Sequence, residues 1–141
     1  MLKKVTMITI LLGLLMMAMP LNALTQAETF PVKIELGLGH QEGIVDNPSR
    51  HIGQYFTGLL NCRVTWVKPL PKGTIIRFVW SQASGNNWSP VLDLKVEMDG
   101  TQDVAFSKVF RTGSAPMKIG YWSVTIYINN AKLDSMTFLV K

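Results

Sequence analysis

The sequence predicts an all-β chain, an antiparallel sandwich of about seven strands behind a removable leader. Three observations carry that expectation. From Phe30 onward, apolar residues alternate with polar ones at a period of two, the pattern of strands with one buried face. Turn-forming pairs such as Asp99-Gly100 and Asn129-Asn130 punctuate these runs at short intervals. No segment after the leader carries the 3.6-residue spacing of an amphipathic helix.

Residues 1–27 read as a signal peptide. Lys3 and Lys4 form a basic start, Val5 to Met19 is almost wholly apolar, and Pro20 and Asn22 break the run. Thr25-Gln26-Ala27 is a small-x-small cleavage pattern, which places the mature start at Glu28. The apolar run is shorter than the roughly 20 residues that cross a bilayer, so a retained N-terminal anchor is the second reading. The segment has no cysteine, which argues against lipoprotein processing. The expected location is the bacterial periplasm or the cell exterior, with no membrane span after cleavage.

Without the leader the composition changes meaning. Five of the eight methionines leave with it, so a methionine-rich copper site is not indicated. The 14 basic and 9 acidic residues lose Lys3 and Lys4, so the formal excess falls to three positive charges. No Lys/Arg cluster or basic helix accompanies it, so nucleic acid is not an expected partner. Residues 28–141 are the length of one domain. Cys62 is the only cysteine, so no disulfide can form within the chain. It shares an alternating face with Leu60, Val64 and Trp66, which makes it a buried thiol rather than a reactive one.

The strands follow in order. Val32, Ile34, Leu36 and Leu38 alternate with Lys33, Glu35 and Gly37; residues 39–56 then lose periodicity and form a long irregular loop. Leu59 to Val67 is the second strand, closed by Pro69 and Pro71. Thr74 to Ser81 is the third, with Ile76, Phe78 and Trp80 on one face. Residues 82–90 are read as a loop around Ser84-Gly85-Asn86-Asn87. Leu92, Leu94, Val96 and Met98 make the inner face of a fourth strand, with Asp93, Lys95 and Glu97 outside. Val104 to Phe110 is the fifth, and Gly113 to Lys118 is a loop.

The last two strands form a hairpin. Trp122, Val124, Ile126 and Ile128 face one way, Asn129-Asn130 turns the chain, and Met136, Phe138 and Val140 return on the same face. A lone hairpin is marginal in water, so this apolar face needs a second sheet. Seven short strands with this punctuation give a sandwich of immunoglobulin-like type, although the disulfide of antibody domains is absent. A partly open barrel is the structural alternative.

Candidate chemistry is sparse. His40 and His51, with Glu42 and Asp46 between them, are donors of the right type for a metal, but their spacing matches no metal motif. The length of the 39–56 loop makes it a candidate contact surface, with Tyr55 and Phe56 expected to anchor it to the core. Trp66, Trp80 and Trp122 lie on apolar faces and are core candidates. Trp88 follows Asn86 and Asn87 in a turn, where it can cap the edge of the sandwich or meet a partner or a sugar ring. Asn87-Trp88-Ser89 fits the glycosylation pattern, but Pro90 and the bacterial type of leader argue against its use. Asp93, Lys95 and Glu97 read as a solvated charged face. Arg63, Arg77 and Arg111 could line a shared outer face and bind an anion, but nothing in the sequence fixes their mutual register. No Ser/His/Asp order, Cys/His pairing or phosphate-cradling loop points to catalysis, and no cofactor is implied.

From about Val64 onward the chain resembles a group of small exported bacterial domains of immunoglobulin-like appearance and unknown function. The resemblance rests on Trp80 closing a central strand, on Gly120-x-Trp122-x-Val124 opening the penultimate one, and on Phe138-x-Val140 at the end. Val104 to Phe110 departs from the basic and aromatic residues usual before the closing loop of that group. The resemblance implies export and a sandwich, and brings no catalytic residues. The expected function is a non-enzymatic binding or assembly module with a protein or envelope partner. The other readings are a carbohydrate or small-ligand binder using Trp88, and a metal-binding protein using His40 and His51. Trp88, Asn86, Asn87, His40, His51 and Tyr55 are the candidate contact residues.

Overall fold

A computed structural model describes residues 30–109 and 117–141. The predicted leader, Phe110, Arg111 and most of the 113–118 loop lie outside the described residues. Nine strands are present among them: β1 (Lys33–Gly39), β2 (Asn47–Pro48), β3 (His51–Ile52), β4 (Leu59–Thr65), β5 (Ile75–Ser84), β6 (Asn87–Glu97), β7 (Val104–Val109), β8 (Gly120–Ile128) and β9 (Ala131–Val140). The seven longer ones are the strands the periodicity predicts. β2 and β3 are two-residue strands that aperiodic sequence could not announce.

The strands form two sheets facing each other, in the orders β2-β1-β4-β7 and β3-β9-β8-β5-β6. Every pairing is antiparallel except that of β3 with β9. Alternation decides which side chains enter the space between the sheets. From β4 come Leu60, Cys62 and Val64; from β5, Ile76, Phe78 and Trp80; from β8, Trp122, Val124 and Ile126; from β9, Met136, Phe138 and Val140. All are buried. Phe138 lies edge-on to Trp80 at 6.0 Å and stacks on Trp122 at 6.5 Å. Such pairs add about 0.5–1.5 kcal/mol beyond the area they bury.

Burying an indole requires a partner for its N–H. Trp80 Nε1 donates to Ser107 Oγ at 2.8 Å, from β5 in one sheet to β7 in the other. Trp122 Nε1 donates to the Lys118 carbonyl oxygen at 2.9 Å.

Two tight hairpins set the register of the five-stranded sheet. Asn129 and Asn130 hold φ of 46° and 68°, the doubly positive pattern of a type I′ turn. Gly85, at φ 60°, opens the two-residue turn between β5 and β6, where Ser84 pairs with Asn87. The segment read as an 82–90 loop is therefore mostly strand: β5 extends to Ser84 and β6 begins at Asn87. Polar Gln82, Asn87 and Ser89 hid its period. A bulge at Val91 lies between the Trp80–Leu92 and Ser81–Pro90 pairs. β6 is also less buried than its alternation predicts. It forms the edge of its sheet, so Met98 beyond its end is enclosed while Leu94 remains 36% exposed.

Ser107→Ala is expected to strand the Trp80 N–H in a dry core. The cost is about 1–3 kcal/mol, read as a lower urea midpoint at unchanged slope. Ser107→Thr, which keeps the hydroxyl, should recover part of it.

Candidate functional site

The aperiodic stretch after β1 carries the chain from one sheet to the other. Residues 40–46 first fold back over the outer face of the four-stranded sheet. Asn61, on the outward side of β4, holds them there: its Nδ2 donates to the carbonyl oxygens of Gln41 (3.2 Å) and Ile44 (2.7 Å), and its Oδ1 accepts from the Gly43 N–H (3.2 Å). Asn61 is fully buried for that reason. Gly43 rests on the Phe106 ring, where a Cβ would come within 2.7 Å, and at φ 72° only glycine sits without strain. Glu42 pairs with Lys108. His40 and Asp46 close the base of this flap. The His40 N–H donates to Asp46 Oδ2 at 2.9 Å, and His40 Nδ1 lies 2.6 Å from the same oxygen. These two bonds hold the Asp46 carboxyl below its ordinary range.

The chain then pairs briefly with β1 through β2, and Ser49 brackets His51 by accepting from its N–H and donating to its carbonyl oxygen. β3 lies alongside β9, with the Gln54 N–H donating to the Lys141 carbonyl oxygen at 3.0 Å. Phe56 is buried and anchors the segment as expected; Tyr55 does not, with 62% of its surface exposed. One aromatic of the pair plugs the core, and its neighbour is turned outward.

Strand directions place nearly all the candidate residues at one end of the sandwich. β1 ends and β4 begins there, β9 finishes there, and the Gly85-Asn86 turn closes there. His40 and Asp46 border an open cleft of about 480 Å³ with Leu38, Asn47 and Thr57. Tyr55 borders a second, of about 520 Å³, with Gln54, Phe56 and Lys141. The two adjoin through Leu38 and Thr57.

The five-stranded sheet adds an outer-face row at the same end. Trp88 on β6 faces Ala83 on β5. The register that sets Gln82 opposite Trp122 carries on by one residue to Ala83 and Tyr121. Tyr121 faces Leu139 on β9, and Leu139 faces His51 on β3. Trp88 is 47% exposed and Tyr121 58%. With one small residue between them, their backbones stand two strand spacings apart, about 10 Å. Trp88 thus stands on a strand beside the turn and does not cap the core. His51 ends the row four strands from Trp88, roughly 19 Å away. Tyr121 is an exposed aromatic of this row that sequence reasoning did not single out. Its signal was an aromatic at the outward parity of a strand whose inner face was already complete.

Several expectations are corrected or narrowed. Arg63 lies on the outer face of the four-stranded sheet, where its Nη1 donates to the Gly43 carbonyl oxygen at 3.4 Å. Arg77 lies on the outer face of the other sheet, so the two do not share an anion site. Arg77 grips Asp93 through two bonds of 2.8 and 2.7 Å, and its guanidinium sits 5.3 Å from the centre of the Tyr127 ring. That ion pair holds Asp93 below the usual carboxylate range. His40 follows β1 in one sheet and His51 opens β3 in the other; no group of three or more His, Cys, Asp or Glu donors suited to a metal ion occurs among the described residues. Cys62 is buried as expected, and burial pushes its thiol up to about 12. Among the described residues no helix is long and apolar enough to cross a membrane.

Two outcomes are expected. Asn61→Ala removes the three bonds that hold residues 41–44 and should speed amide hydrogen exchange there at least tenfold, while β8 and β9 keep their protection. Cys62 should stay unreactive toward an aromatic disulfide reagent at pH 8 in the native protein, and react at once in denaturant.

No known family model matches the chain, and no curated protein matches it by sequence. Solved structures do match by shape. An immunoglobulin-like protein from Pseudomonas aeruginosa superposes with a TM-score of 0.54 at 11% identity, over 77% of this chain and 92% of that one. A β-glucosidase from Listeria innocua in complex with gluconolactone matches at a TM-score of 0.40 and 10% identity, over 77% of this chain and 16% of the enzyme. An alkylpurine DNA glycosylase from Pseudomonas fluorescens matches at 0.39 and 14% identity, over 79% of this chain and 31% of the enzyme. The first likeness shows the fold: the chain is an immunoglobulin-like β-sandwich.

Proposed function

We propose that this protein is an exported, non-enzymatic binding module whose contact surface is the end of the sandwich that carries Trp88 and Tyr121. The basic-then-apolar leader ending in Thr25-Gln26-Ala27 supports export. The observation that carries the binding role is the outer-face row itself. Two large aromatic side chains stand exposed on strands either side of β5 in a rigid sheet, with only Ala83 between their backbones. Exposed aromatics fixed on strands present broad contact area at little entropic cost, the usual make-up of interface anchors. The partner is a component of the bacterial envelope.

A carbohydrate is the second reading, favoured by the chemistry around the row. Of the neighbouring outward positions, Ser81 and Ser123 are small, uncharged and buried, and Thr137 presents an exposed hydroxyl. An aromatic pair above a low, uncharged floor with a hydroxyl at its side suits the apolar face and polar rim of a pyranose.

Trp88→Ala and Tyr121→Ala should each weaken retention of the partner by about 2 kcal/mol, roughly thirtyfold in Kd, with thermal stability little changed. Capture from envelope extract, and binding to purified cell-wall glycan, compare the variants with the unaltered protein. Undiminished capture by both variants removes the row as the contact surface. Loss on extract with no glycan binding in any form removes the carbohydrate reading alone.

A further inference from the structure

The geometry points to a second surface, independent of the aromatic row: β6 pairs antiparallel with β6 of a second copy, joining the two five-stranded sheets into one across a twofold axis at Leu94. β6 has the most residues of any strand among those described, and there it pairs only with β5, so its outer edge offers free backbone donors and acceptors. That edge is apolar as well as polar, with Val91 58% and Leu94 36% exposed.

The usable segment is bounded on both sides. Pro90 has no N–H to give, and the bulge at Val91 bends the strand there. At the other end Asp99-Gly100 turns the chain away. Residues 91–97 remain, and they read Val-Leu-Asp-Leu-Lys-Val-Glu.

Parity, length and charge then select one register; centring the pair on Leu92 or Val96 engages only three residues of each strand. A twofold axis perpendicular to the sheet keeps inner faces together, so residues of equal parity must face each other. Centring the pair on Asp93 sets carboxylate against carboxylate. Centring it on Lys95 sets ammonium against ammonium and Asp93 against Glu97, twice. Centring it on Leu94 sets Asp93 of each copy opposite Lys95 of the other, Leu92 opposite Val96, and Leu94 opposite itself.

The Leu94 register also relieves a conflict within each copy. Lys95 lies directly across β5–β6 from Arg77, two like charges in one cross-strand pair. The second copy brings an Asp93 carboxylate to the far side of Lys95. Asp93 accepts from Arg77 with both oxygens and keeps lone pairs for a further donor. The charges then alternate across the junction. Pairs of this kind fix register and exclude the wrong alignments, while backbone pairing and the covering of Leu94 supply the attraction.

Variants with one added cysteine, together with sedimentation, test the arrangement on the full mature protein; Cys62 is buried and does not compete. Leu94→Cys places two thiols across an antiparallel pair with Cα atoms about 4.5–5.5 Å apart, within disulfide reach. It should cross-link to a dimer under mild oxidation. Glu97→Cys, which faces Val91, should not. The unaltered protein should sediment as a dimer, and Lys95→Glu should raise its dissociation constant at least tenfold. Equal cross-linking of Leu94→Cys and Glu97→Cys, no effect of Lys95→Glu on a dimer, or a monomer at all concentrations up to about 1 mM overturns the proposal. Each result is separate from the aromatic row, because a monomer that still captures its partner through Trp88 leaves the binding role intact.

Discussion

The bond from Trp80 Nε1 to Ser107 Oγ is the constraint on which the sandwich depends. A chain with one cysteine cannot staple its sheets covalently, and apolar contact alone does not fix how two pleated layers sit on one another. The Trp80 indole fills the middle of the core from the five-stranded sheet, and its only polar atom is met by a hydroxyl from the four-stranded one. One directional contact in a dry interior thus sets the relative placement of the sheets. Phe138 then wedges between Trp80 and Trp122, so the last strand is held by the same ring cluster.

The outer faces are put to different uses. On the four-stranded sheet, residues 40–46 cover the outward positions, and Asn61, Arg63, Phe106 and Lys108 are all engaged by that flap. Gly37 and Gly39 permit it: a Cβ on either would fall within about 2 Å of a carbonyl oxygen of the chain crossing above, 2.1 Å from that of Asn47 and 1.8 Å from that of Ile44. The five-stranded sheet has no such cover among the described residues. Its outward aromatics and its β6 edge are the accessible features, which is why both functional inferences fall on it.

Much of the fold was legible because burial imposes a period. The β8–β9 hairpin was readable in full: four apolar residues on one strand, two asparagines tolerant of positive φ, and the returning apolar face. The segments that misled were those where something other than sheet periodicity covers a side chain. Asn61 has the outward parity of a solvent-facing residue and is buried, because loop carbonyls seek donors there, a tertiary fact with no local signature. Trp88 has the look of a loop residue in the sequence because Gln82, Asn87 and Ser89 break the pattern of two strands that run on almost to their turn. Arg63 and Arg77 had suitable parity for an outer face, but parity does not say which sheet a strand joins. Tyr121 has outward parity on its strand, but its place in line with Trp88 depends on a register spanning three strands.

The parallel contact between β3 and β9 has a consequence for the timing of folding. Residues 50–54 grip Leu139 and Lys141 through the Leu139 N–H, the Lys141 N–H and the Lys141 carbonyl oxygen. These partners are 87 to 89 positions apart in the sequence. A polypeptide that emerges from its N-terminus first must therefore keep its crossing segment unsatisfied until the final strand arrives. Long-range closure of this kind slows the search for the native state. It also makes completion all-or-none, since a chain cut short before Leu139 has no β9 end to which β3 can attach.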